Sequence, residues 1–446
     1  MRRSLLLLGL LALPAAPLSA QQDTTKLPTG VRLGLTYQTL QRPKLAVRPM
    51  AAEGPAADIA QILQRDLDFS DRFVIADLIP EALRSGPVNY KAWNDLGVVW
   101  LVVPELQPDG QLKVSLHDVV YGAVKKSQTF ALPAAGSPDF RLAVHAAADA
   151  VVKWATGQPG IAASRVAFVR RNNDGGYSLL TVDSDGEAAR TLATSGATLM
   201  SPAWSPDGTH MAFGRAAGDR WELVERDMAT GSSRVLLTRE GLIYTPAYSP
   251  DGKRIAFAAW NGHGSEIDDY DVAQRCCLRR ITRSSRDDIS PSYSPDGRRI
   301  AFNSNRVGQP HIYIASAEGG DADLLSPYTY GEPGYYTSPD WAPSGTQIAF
   351  HGRSKGEFQI MLADASQPGA TVKQITASGR NEDPSWAPDG RHLVFSGVRD
   401  GGAGLYVVDT VTGRVRPLLV GGRYRVPDWS PILLGGSGIT AGPVSR

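Results

Sequence analysis

The sequence predicts an α/β N-terminal domain followed by an all-β, six-bladed β-propeller, with a closing blade shared between both ends of the repeat region. Three observations lead to this prediction. A proline–aromatic phrase recurs six times in the C-terminal two-thirds of the 446-residue chain. Incomplete repeats begin and end that region, and the residues before it mix helix and strand patterns.

The repeated phrase gives the period of the blades. Its aromatic residues are separated by 44, 45, 48, 45 and 43 residues, and periods of about 40 to 50 residues with several short strands are typical of propellers. A turn follows each of the first five aromatic residues, because proline presets φ and glycine accepts positive φ, whereas the sixth phrase is cut short at Pro431. The phrases span 201–208, 245–252, 290–297, 338–345, 383–390 and 426–431, with aromatic residues Trp204, Tyr248, Tyr293, Trp341, Trp386 and Trp429. We interpret these residues as packing and turn residues.

Two incomplete repeats predict how the ring closes. Residues 166–169, 179–183 and 190–194 supply the second, third and fourth strands of a blade without a preceding phrase. Residues 427–429 supply a first strand with no strand signal after it. Pairing the two fragments completes a sixth blade and removes the exposed sheet edges that an open ring would leave.

The N-terminal domain is predicted over residues 43–158, ahead of a propeller over 159–432 and a flexible tail over 433–446. Ile59, Ile62, Leu63 and Leu67 lie on one face of a predicted helix. Helices at 56–68, 90–96 and 138–155 are interspersed with strands at 44–48, 72–76, 98–104, 112–119 and 127–132. Mixed strands with helices predict a small α/β domain.

The first residues predict export. Arg2 and Arg3 precede an uncharged apolar run from Leu5 to Leu13, and Ala20 is a suitable cleavage residue. The apolar run is too short to cross a bilayer. We therefore expect a signal peptide over 1–20, a flexible segment over 21–42, and a protein located outside the cytoplasm.

The composition excludes some classes of partner. Lys plus Arg total 46 and Asp plus Glu total 45, a balance that predicts binding neither to nucleic acid nor to an anionic membrane. The adjacent Cys276 and Cys277 are unable to link distant parts of the fold. We expect a monomer without a cofactor or a transmembrane segment in the mature chain.

Several segments resemble the TolB family of the Tol–Pal system. The resemblance rests on the six phrases, on residues 58–75, on the segment 88–98 and on the junction 157–169. It implies a periplasmic protein that links the outer-membrane lipoprotein Pal to the inner-membrane TolA/TolQ/TolR complex. The implied roles are outer-membrane integrity and invagination during cell division. In the family, the mature N-terminal stretch contacts TolA, and one propeller rim with the channel takes Pal.

The N-terminal segment carries a candidate site for the TolA-like partner. Leu33, Leu35 and Tyr37 alternate, so they would lie on one face of an added strand. An ordinary frayed terminus is the alternative interpretation.

Loops that enter the first strands are predicted to form a rim for the Pal-like partner. Aromatic residues mixed with charges are typical of binding surfaces, although solvated loop residues are the simpler interpretation of most single positions. The loop 242–244 lacks a histidine that one branch of the family carries. The candidates are Met200, Tyr244, Asp288, Ile289, Tyr335, Tyr336, Glu382 and Arg425.

Two acidic residues depart from the repeat. Glu225 and Asp269 stand on third strands where other blades carry Ile314, Leu362 and Val407. An exposed strand face is the expected explanation, with metal or partner binding as the alternative.

Enzyme classes built on propellers are not supported. A propeller peptidase needs a G-x-S-x-G nucleophile elbow, and a lyase needs histidines at a metal-bearing channel. The sequence contains no such elbow and no HxxxH or CxxC spacing. We expect no catalytic residue, cofactor site or metal site. The remaining alternative is an exported propeller scaffold with unrelated partners.

Overall fold

The computed structural model describes residues 42–51, 53–329, 331, 334–369 and 372–433. It confirms the predicted fold class, an α/β domain followed by a six-bladed propeller. The two domains belong to one compact unit. The predicted signal peptide, nearly all of the segment 21–42 and most of the tail lie outside the described residues, and the proposed domain boundaries stay predictions.

The N-terminal domain is a five-stranded mixed sheet with helices packed on it. Strand order is β2-β1-β3-β4-β5, with β1 parallel to β2 and β3 and the remaining pairs antiparallel. The elements are β1 Lys44–Val47, α1 Pro55–Phe69, β2 Val74–Ile75, a 3-10 helix Glu81–Leu83, α2 Tyr90–Asp95, β3 Trp100–Leu106, β4 Leu112–Asp118, β5 Ala123–Phe130 and α3 Pro138–Thr156.

The helices form where the sequence predicts them. The four apolar residues predicted to share one face of α1 are all buried against the sheet and α3. The Ser137 hydroxyl caps α3 by accepting from Phe140 N–H, and Gly157, with φ of 75°, ends it. Strand β2 is shorter than predicted, and β5 begins earlier, because its exposed Lys125 and Lys126 conceal the alternation that marks a strand.

Each propeller blade is a four-stranded antiparallel sheet. The first strand of each blade, here called the inner strand, lines the central channel. Blade 1 contains β6 Arg165–Arg171, β7 Tyr177–Asp183 and β8 Arg190–Ser195, with β29 Tyr424–Trp429 as its inner strand. Blade 2 contains β9 Leu199–Trp204, β10 His210–Ala217, β11 Arg220–Asp227 and β12 Ser233–Glu240. Blade 3 contains β13 Ile243–Tyr248, β14 Arg254–Trp260, β15 Ser265–Asp271 and β16 Cys276–Arg280.

The other three blades repeat this arrangement. Blade 4 contains β17 Asp288–Tyr293, β18 Arg299–Ser304, β19 His311–Ser316 and β20 Ala322–Leu324. Blade 5 contains β21 Tyr336–Trp341, β22 Gln347–Ser354, β23 Glu357–Asp364 and β24 Lys373–Gln374. Blade 6 contains β25 Arg380–Trp386, β26 His392–Arg399, β27 Gly402–Asp409 and β28 Val415–Val420.

The closing blade is built from both ends of the repeat region, as predicted. Strand β29 pairs antiparallel with β6, placing Trp429 opposite Val166. The Trp429 indole N–H also donates to the Ser164 hydroxyl at 2.8 Å. These contacts join the ring without an open sheet edge at the seam.

The proline of each phrase produces a β-bulge in the inner strand. The residue before it adopts a φ between 44° and 57° in all six blades, and the register to the second strand shifts there. Proline has no N–H to donate, so the bulge takes it out of the ladder. The residues with positive φ are Ser201, Thr245, Ser290, Ser338, Asp383 and Val426.

Glu225 and Asp269 are buried, so the expectation of an exposed strand face is wrong. Glu225 is 3% exposed and Asp269 is 0% exposed. Arg234 pairs with Glu225, and both Arg254 and Arg279 pair with Asp269. Buried carboxylates are tolerated when cations of this kind pair with them.

The two cysteines form a disulfide, Cys276–Cys277. Because the bonded residues are neighbours, the bond closes no long loop and leaves the stability of the fold to its core.

Candidate partner-binding surfaces

The propeller presents two different faces. Inner strands begin at one face and end, with their turns, at the other. Asp389 and His392 flank such a turn and contact the N-terminal domain, and so does Asp183 at the end of β7. We call this side the domain face. The opposite side, here called the open face, carries the loops that enter the inner strands, and no ion pair from the described part of the N-terminal domain reaches it.

The central channel is a cavity of about 270 Å³ lined by the six phrases. At four blade junctions, the side chain preceding the aromatic residue accepts a hydrogen bond from the backbone N–H of the aromatic residue in the next blade. The pairs are Asp428 with Trp204 at 2.6 Å, Asp340 with Trp386 at 2.7 Å, Ser292 with Trp341 at 2.9 Å and Ser385 with Trp429 at 3.0 Å. Alanines 203 and 247 occupy the other two junctions. The channel wall therefore joins successive blades.

Two channel carboxylates have altered acidity. Burial raises the pKa of Asp340 to about 6, although hydrogen bonds from Trp386 and Ser292 oppose the change. Burial also raises the pKa of Asp428 to about 8, and the charge of Asp340 adds to that effect. Asp428 is therefore mostly protonated at neutral pH, and the channel is less negative than its composition indicates.

The predicted rim residues lie along the starts of the inner strands, at the open face. Arg425 is exposed, whereas most of the others are half-buried. Their strands are β9 for Met200, β13 for Tyr244, β17 for Asp288 and Ile289, β21 for Tyr336, β25 for Glu382 and β29 for Arg425, with Tyr335 directly before β21. The structure thus brings them to one side of the ring, with at least one of them in every blade.

Asp288 differs from the other candidates. It is 0% exposed, and both of its carboxylate oxygens accept from Arg306 at 3.1 Å. This corrects the expectation that Asp288 presents a charge at the rim. The partly exposed guanidinium of Arg306 lies there instead.

The rim tyrosines are held in place by contacts within their own blade or with the neighbouring blade. The Tyr244 hydroxyl lies 2.6 Å from the Ser265 hydroxyl. The Tyr336 ring contacts His311 edge-on at 5.4 Å between centroids, and Tyr335 lies 5.3 Å from Phe358. Tyrosines ordered in this way lose little conformational entropy on binding. Leu33, Leu35 and Tyr37 lie outside the described residues.

A buried ionic contact joins the N-terminal domain to blade 1. His145 of α3 lies 2.7 Å from Asp66 and 3.6 Å from Asp183. Arg141 pairs with Asp183 at 3.0 Å and with Asp185 at 2.6 Å. Burial alone would lower the pKa of His145, but the adjoining carboxylates of Asp66 and Asp183 raise it to about 10. The imidazole is therefore charged at neutral pH.

A second ionic contact joins the domain to blade 6. Asp71 lies 2.8 Å from Arg414 and 3.3 Å from His392, and His392 also lies 2.8 Å from Asp389. Burial disfavours charge on Asp71, but His392 and Arg414 outweigh this and lower the pKa of Asp71. Burial acts against the charge of His392 too, yet Asp389 and Asp71 raise its pKa. We call the contacts to blades 1 and 6 the interdomain network.

An arginine lies between these two clusters. The Arg416 guanidinium lies 3.9 Å from the centroid of the Phe69 ring at the end of α1. Burial lowers the pKa of Arg416 to about 10. A guanidinium stacked on an aromatic face is stabilised without a carboxylate partner, so this contact adds a cation–π component to the domain interface.

The interdomain network contains two groups with the composition of a metal site. One group consists of Asp66, His145 and Asp185, and the other consists of Asp71, His392 and Asp409. Within each group the possible ligand atoms lie within 4.8 Å of one another. Arginines already pair with these carboxylates, since Arg141 contacts Asp185 and Arg391 contacts Asp409, each at 2.6 Å. The guanidinium groups supply the positive charge that a metal ion would bring, and the groups act as ion-pair clusters.

Sequence reasoning missed this network. Its residues come from α1, α3 and the turns of blades 1 and 6, and no spacing in the sequence connects them. The available signal was the concentration of acidic residues at those turns, such as Asp183 and Asp185.

Among the described residues, no helix combines the length and the apolar character needed to span a bilayer.

Comparison with known proteins identifies related families. The model of the TolB beta propeller domain matches residues 152–433, and the model of the TolB amino-terminal domain matches residues 31–124. The Tol-Pal system protein TolB of Methylococcus capsulatus is 35% identical over 197 residues, which cover 42% of this chain and 46% of that protein. The protein of the same name from Xanthomonas oryzae pv. oryzae is 28% identical over 241 residues, covering 52% of this chain and 53% of the relative.

The chain therefore spans about half the length of the curated relatives it matches. A solved structure extends the likeness further. The crystal structure of TolB from Acinetobacter baumannii superposes with a TM-score of 0.77 and 27% identity, covering 88% of this chain and 97% of that chain.

Proposed function

Because the chain belongs to the TolB family, we propose that it is the periplasmic component that links an outer-membrane Pal-like lipoprotein to a TolA/TolQ/TolR complex. The relatives are named Tol-Pal system proteins, which supports a role in that system. The cellular outcome proposed is outer-membrane integrity and invagination at division. Export by the N-terminal signal peptide would deliver the chain to the periplasm.

The observation that carries the proposal is the open face of the propeller. The N-terminal domain occupies the domain face through the interdomain network, so the mouth of the channel at the open face is left for a partner. Ordered tyrosines at that mouth, Tyr244 and Tyr336, match the aromatic anchors of protein interfaces. We assign the Pal-like lipoprotein to this face.

The TolA-like partner is assigned to the segment 21–42. Leu33, Leu35 and Tyr37 would supply its apolar contacts through an added strand. The proposal includes no catalytic step and no cofactor.

A binding assay with purified proteins tests both assignments. Residues 21–446 are titrated calorimetrically with the soluble domains of Pal and TolA from the same organism. We expect both to bind, and deletion of residues 21–38 to abolish binding of TolA while leaving binding of Pal intact. A chain truncated after residue 433 is the matched control, since it loses a terminal segment of similar length. Failure of both proteins to bind would refute the proposal and favour a scaffold with other partners.

A further inference from the structure

A cavity of about 1060 Å³ opens at the open face, at the seam between blade 1 and blade 6. We propose that it binds an acidic peptide segment of the protein that docks on the open face, an inference that rests on the function proposed above. We call it the seam pocket. Its lining comes from the end of β6, the turn before β7, the start of β27 and the loop that leads into β29, and includes Arg170, Arg171, Asp174, Arg423 and Tyr424.

Ring closure brings the arginines of the seam pocket together. Arg170 lies opposite Tyr424 in the β6–β29 pair, and the Arg171 backbone N–H donates to the Arg423 carbonyl at 3.4 Å. The backbones of two distant parts of the sequence therefore hold the three guanidinium-bearing residues at one place. The exposed Arg425 follows two residues later, in β29.

The charges of these arginines are not neutralised within the described chain. Arg171 and Arg423 are exposed and form no ion pair among the described residues, and Arg170 donates to the amide oxygen of Asn172. The lining contains a single acid, Asp174, whose Oδ1 accepts from Gly176 N–H. The seam pocket therefore carries a net positive charge.

Three other arginines on the open face pair with carboxylates of their own blades, in the pairs Arg215 with Glu222, Arg306 with Asp288, and Arg380 with Glu382. Arg353 and Arg399 on the same face form no ion pair among the described residues, so the seam pocket is distinguished by three such arginines lining one cavity. Free guanidinium groups recognise carboxylates through charge-assisted, often bidentate hydrogen bonds. Because the lining supplies three arginines and one carboxylate, the further carboxylates for the seam pocket would come from another molecule.

The shape of the pocket favours a peptide over a single small anion. Its volume exceeds what one phosphate or carboxylate group fills. Gly175 and Gly421 have open space where a side chain would project, which leaves room for an extended chain. The Tyr424 ring, packed edge-on against Phe168 at 5.0 Å, forms an ordered aromatic wall. An acidic segment would thus find charge, room and an apolar surface together.

Fluorescence anisotropy with a labelled hexapeptide of Asp and Glu tests the proposal, and a hexapeptide of Asn and Gln provides the uncharged comparison. We expect the acidic peptide to bind, and the double substitution Arg171→Ala with Arg423→Ala to weaken binding about tenfold, as loss of charge-assisted contacts does. Arg353→Ala is the matched control, because Arg353 is exposed near the end of the second strand of blade 5. It should change the affinity less than about twofold. Equal binding by the double variant, with unchanged thermal unfolding, would overturn the proposal.

The same variants are then titrated with the Pal domain and with inorganic phosphate. Weaker binding of Pal by the double variant alone supports the seam pocket as part of the docking surface. Undiminished binding of Pal overturns the inference while the proposed function stands. If the Pal domain binds neither the native protein nor the double variant, the proposed function fails. The titration with the acidic peptide then decides by itself whether the seam pocket binds acidic segments. Phosphate that binds as tightly as the peptide would identify a simple anion site and overturn the peptide assignment.

Discussion

Nε2 of His392, in the propeller, lies 3.3 Å from Oδ2 of Asp71, in the N-terminal domain, although 321 residues separate them in the chain. His392 is fully buried, and its other ring nitrogen lies 2.8 Å from Asp389. Burial lowers the pKa of this imidazole, but Asp389 and Asp71 outweigh burial and raise the pKa, which favours the charged form that pairs with both carboxylates. The relationship makes the orientation of the two domains depend on a buried charge, since either partner alone would be costly to bury.

Replacing His392 by leucine should therefore destabilise the protein. The substitution removes the cation that Asp71 and Asp389 share, but Arg414 still pairs with Asp71 and Arg72 with Asp389. We therefore expect a loss near the lower end of the about 3 to 5 kcal/mol that removing one partner of a buried pair typically costs. Urea unfolding measures the change in the free energy of unfolding. His263→Leu is the control, because His263 is exposed in a loop of blade 3. Similar stabilities for the two variants would contradict the importance of the pair.

The contribution of His145 should depend on pH in the alkaline range. Its pKa is about 10 in the folded protein, above the value of about 6.5 for an unfolded chain. Its stabilising contribution is therefore complete below about pH 6.5 and is lost as the pH rises through about 10. The free-energy difference between the native protein and His145→Gln should be largest near pH 6 and shrink toward pH 10. A difference that stays constant or widens would show that the charge of His145 is not what joins the domains.

Replacing Asp428 should stabilise the protein at higher pH, whereas replacing His392 or His145 should destabilise it. Its pKa of about 8 in the channel wall exceeds the unfolded value of about 3.9, so the contribution of Asp428 to the stability of the native protein falls as the pH rises from about 4 through about 8. Asparagine does not titrate, and its amide oxygen can still accept from Trp204 N–H. Asp428→Asn should thus gain on the order of 5 kcal/mol on the native protein between pH 4 and pH 8.

Denaturant unfolding at both pH values checks this gain. Asp296→Asn is the control, since hydrogen bonds from Ser294 and Arg298 lower the pKa of Asp296 and no such gain is expected. A free-energy difference between the native protein and Asp428→Asn that stays constant over this range would contradict the altered acidity of Asp428.

The rim tyrosines should contribute to the affinity for the Pal-like partner. Replacing Tyr244 and Tyr336 together by alanine removes two ordered aromatic side chains from the open face, and the free energy of binding should weaken by at least about 1 kcal/mol. Isothermal titration against the Pal domain measures the change. Tyr121→Ala on the N-terminal domain, at a residue that is 77% exposed, should have no effect. An unchanged affinity in the double variant would refute the placement of the partner at these residues.

Features that are local in the sequence were predictable. The period of the phrases predicts the blades, because the four strands of a blade follow one another along the chain and pair with their neighbours. The closing of the ring was also predictable, since the two fragments at 166–194 and 427–429 lack complementary strands. The bounds of the edge strands β2 and β5 were predicted less accurately. Exposed residues on an edge strand do not show the alternation of apolar and polar residues that marks a strand in the sequence.

The charged residues show where sequence reasoning ends. As acidic residues on third strands, Glu225 and Asp269 indicate an exposed face of the blade when the sequence is considered alone. Both are nevertheless buried, because arginines on neighbouring strands pair with them, namely Arg234, Arg254 and Arg279. Burial of a charge depends on its partners in space, and those partners are set by strand pairing. The same reason hid the burial of Asp288 beneath Arg306.

The sequence by itself determined the number of blades, the shared closing blade and the order of the domains, because periodic turns and apolar patterns act over short distances along the chain. The tertiary structure alone decided which propeller face the N-terminal domain covers, and with it which face remains open. That choice depends on His145, His392 and their carboxylates meeting across the interface. It also placed Arg171 beside Arg423, a proximity that exists only once the ring has closed.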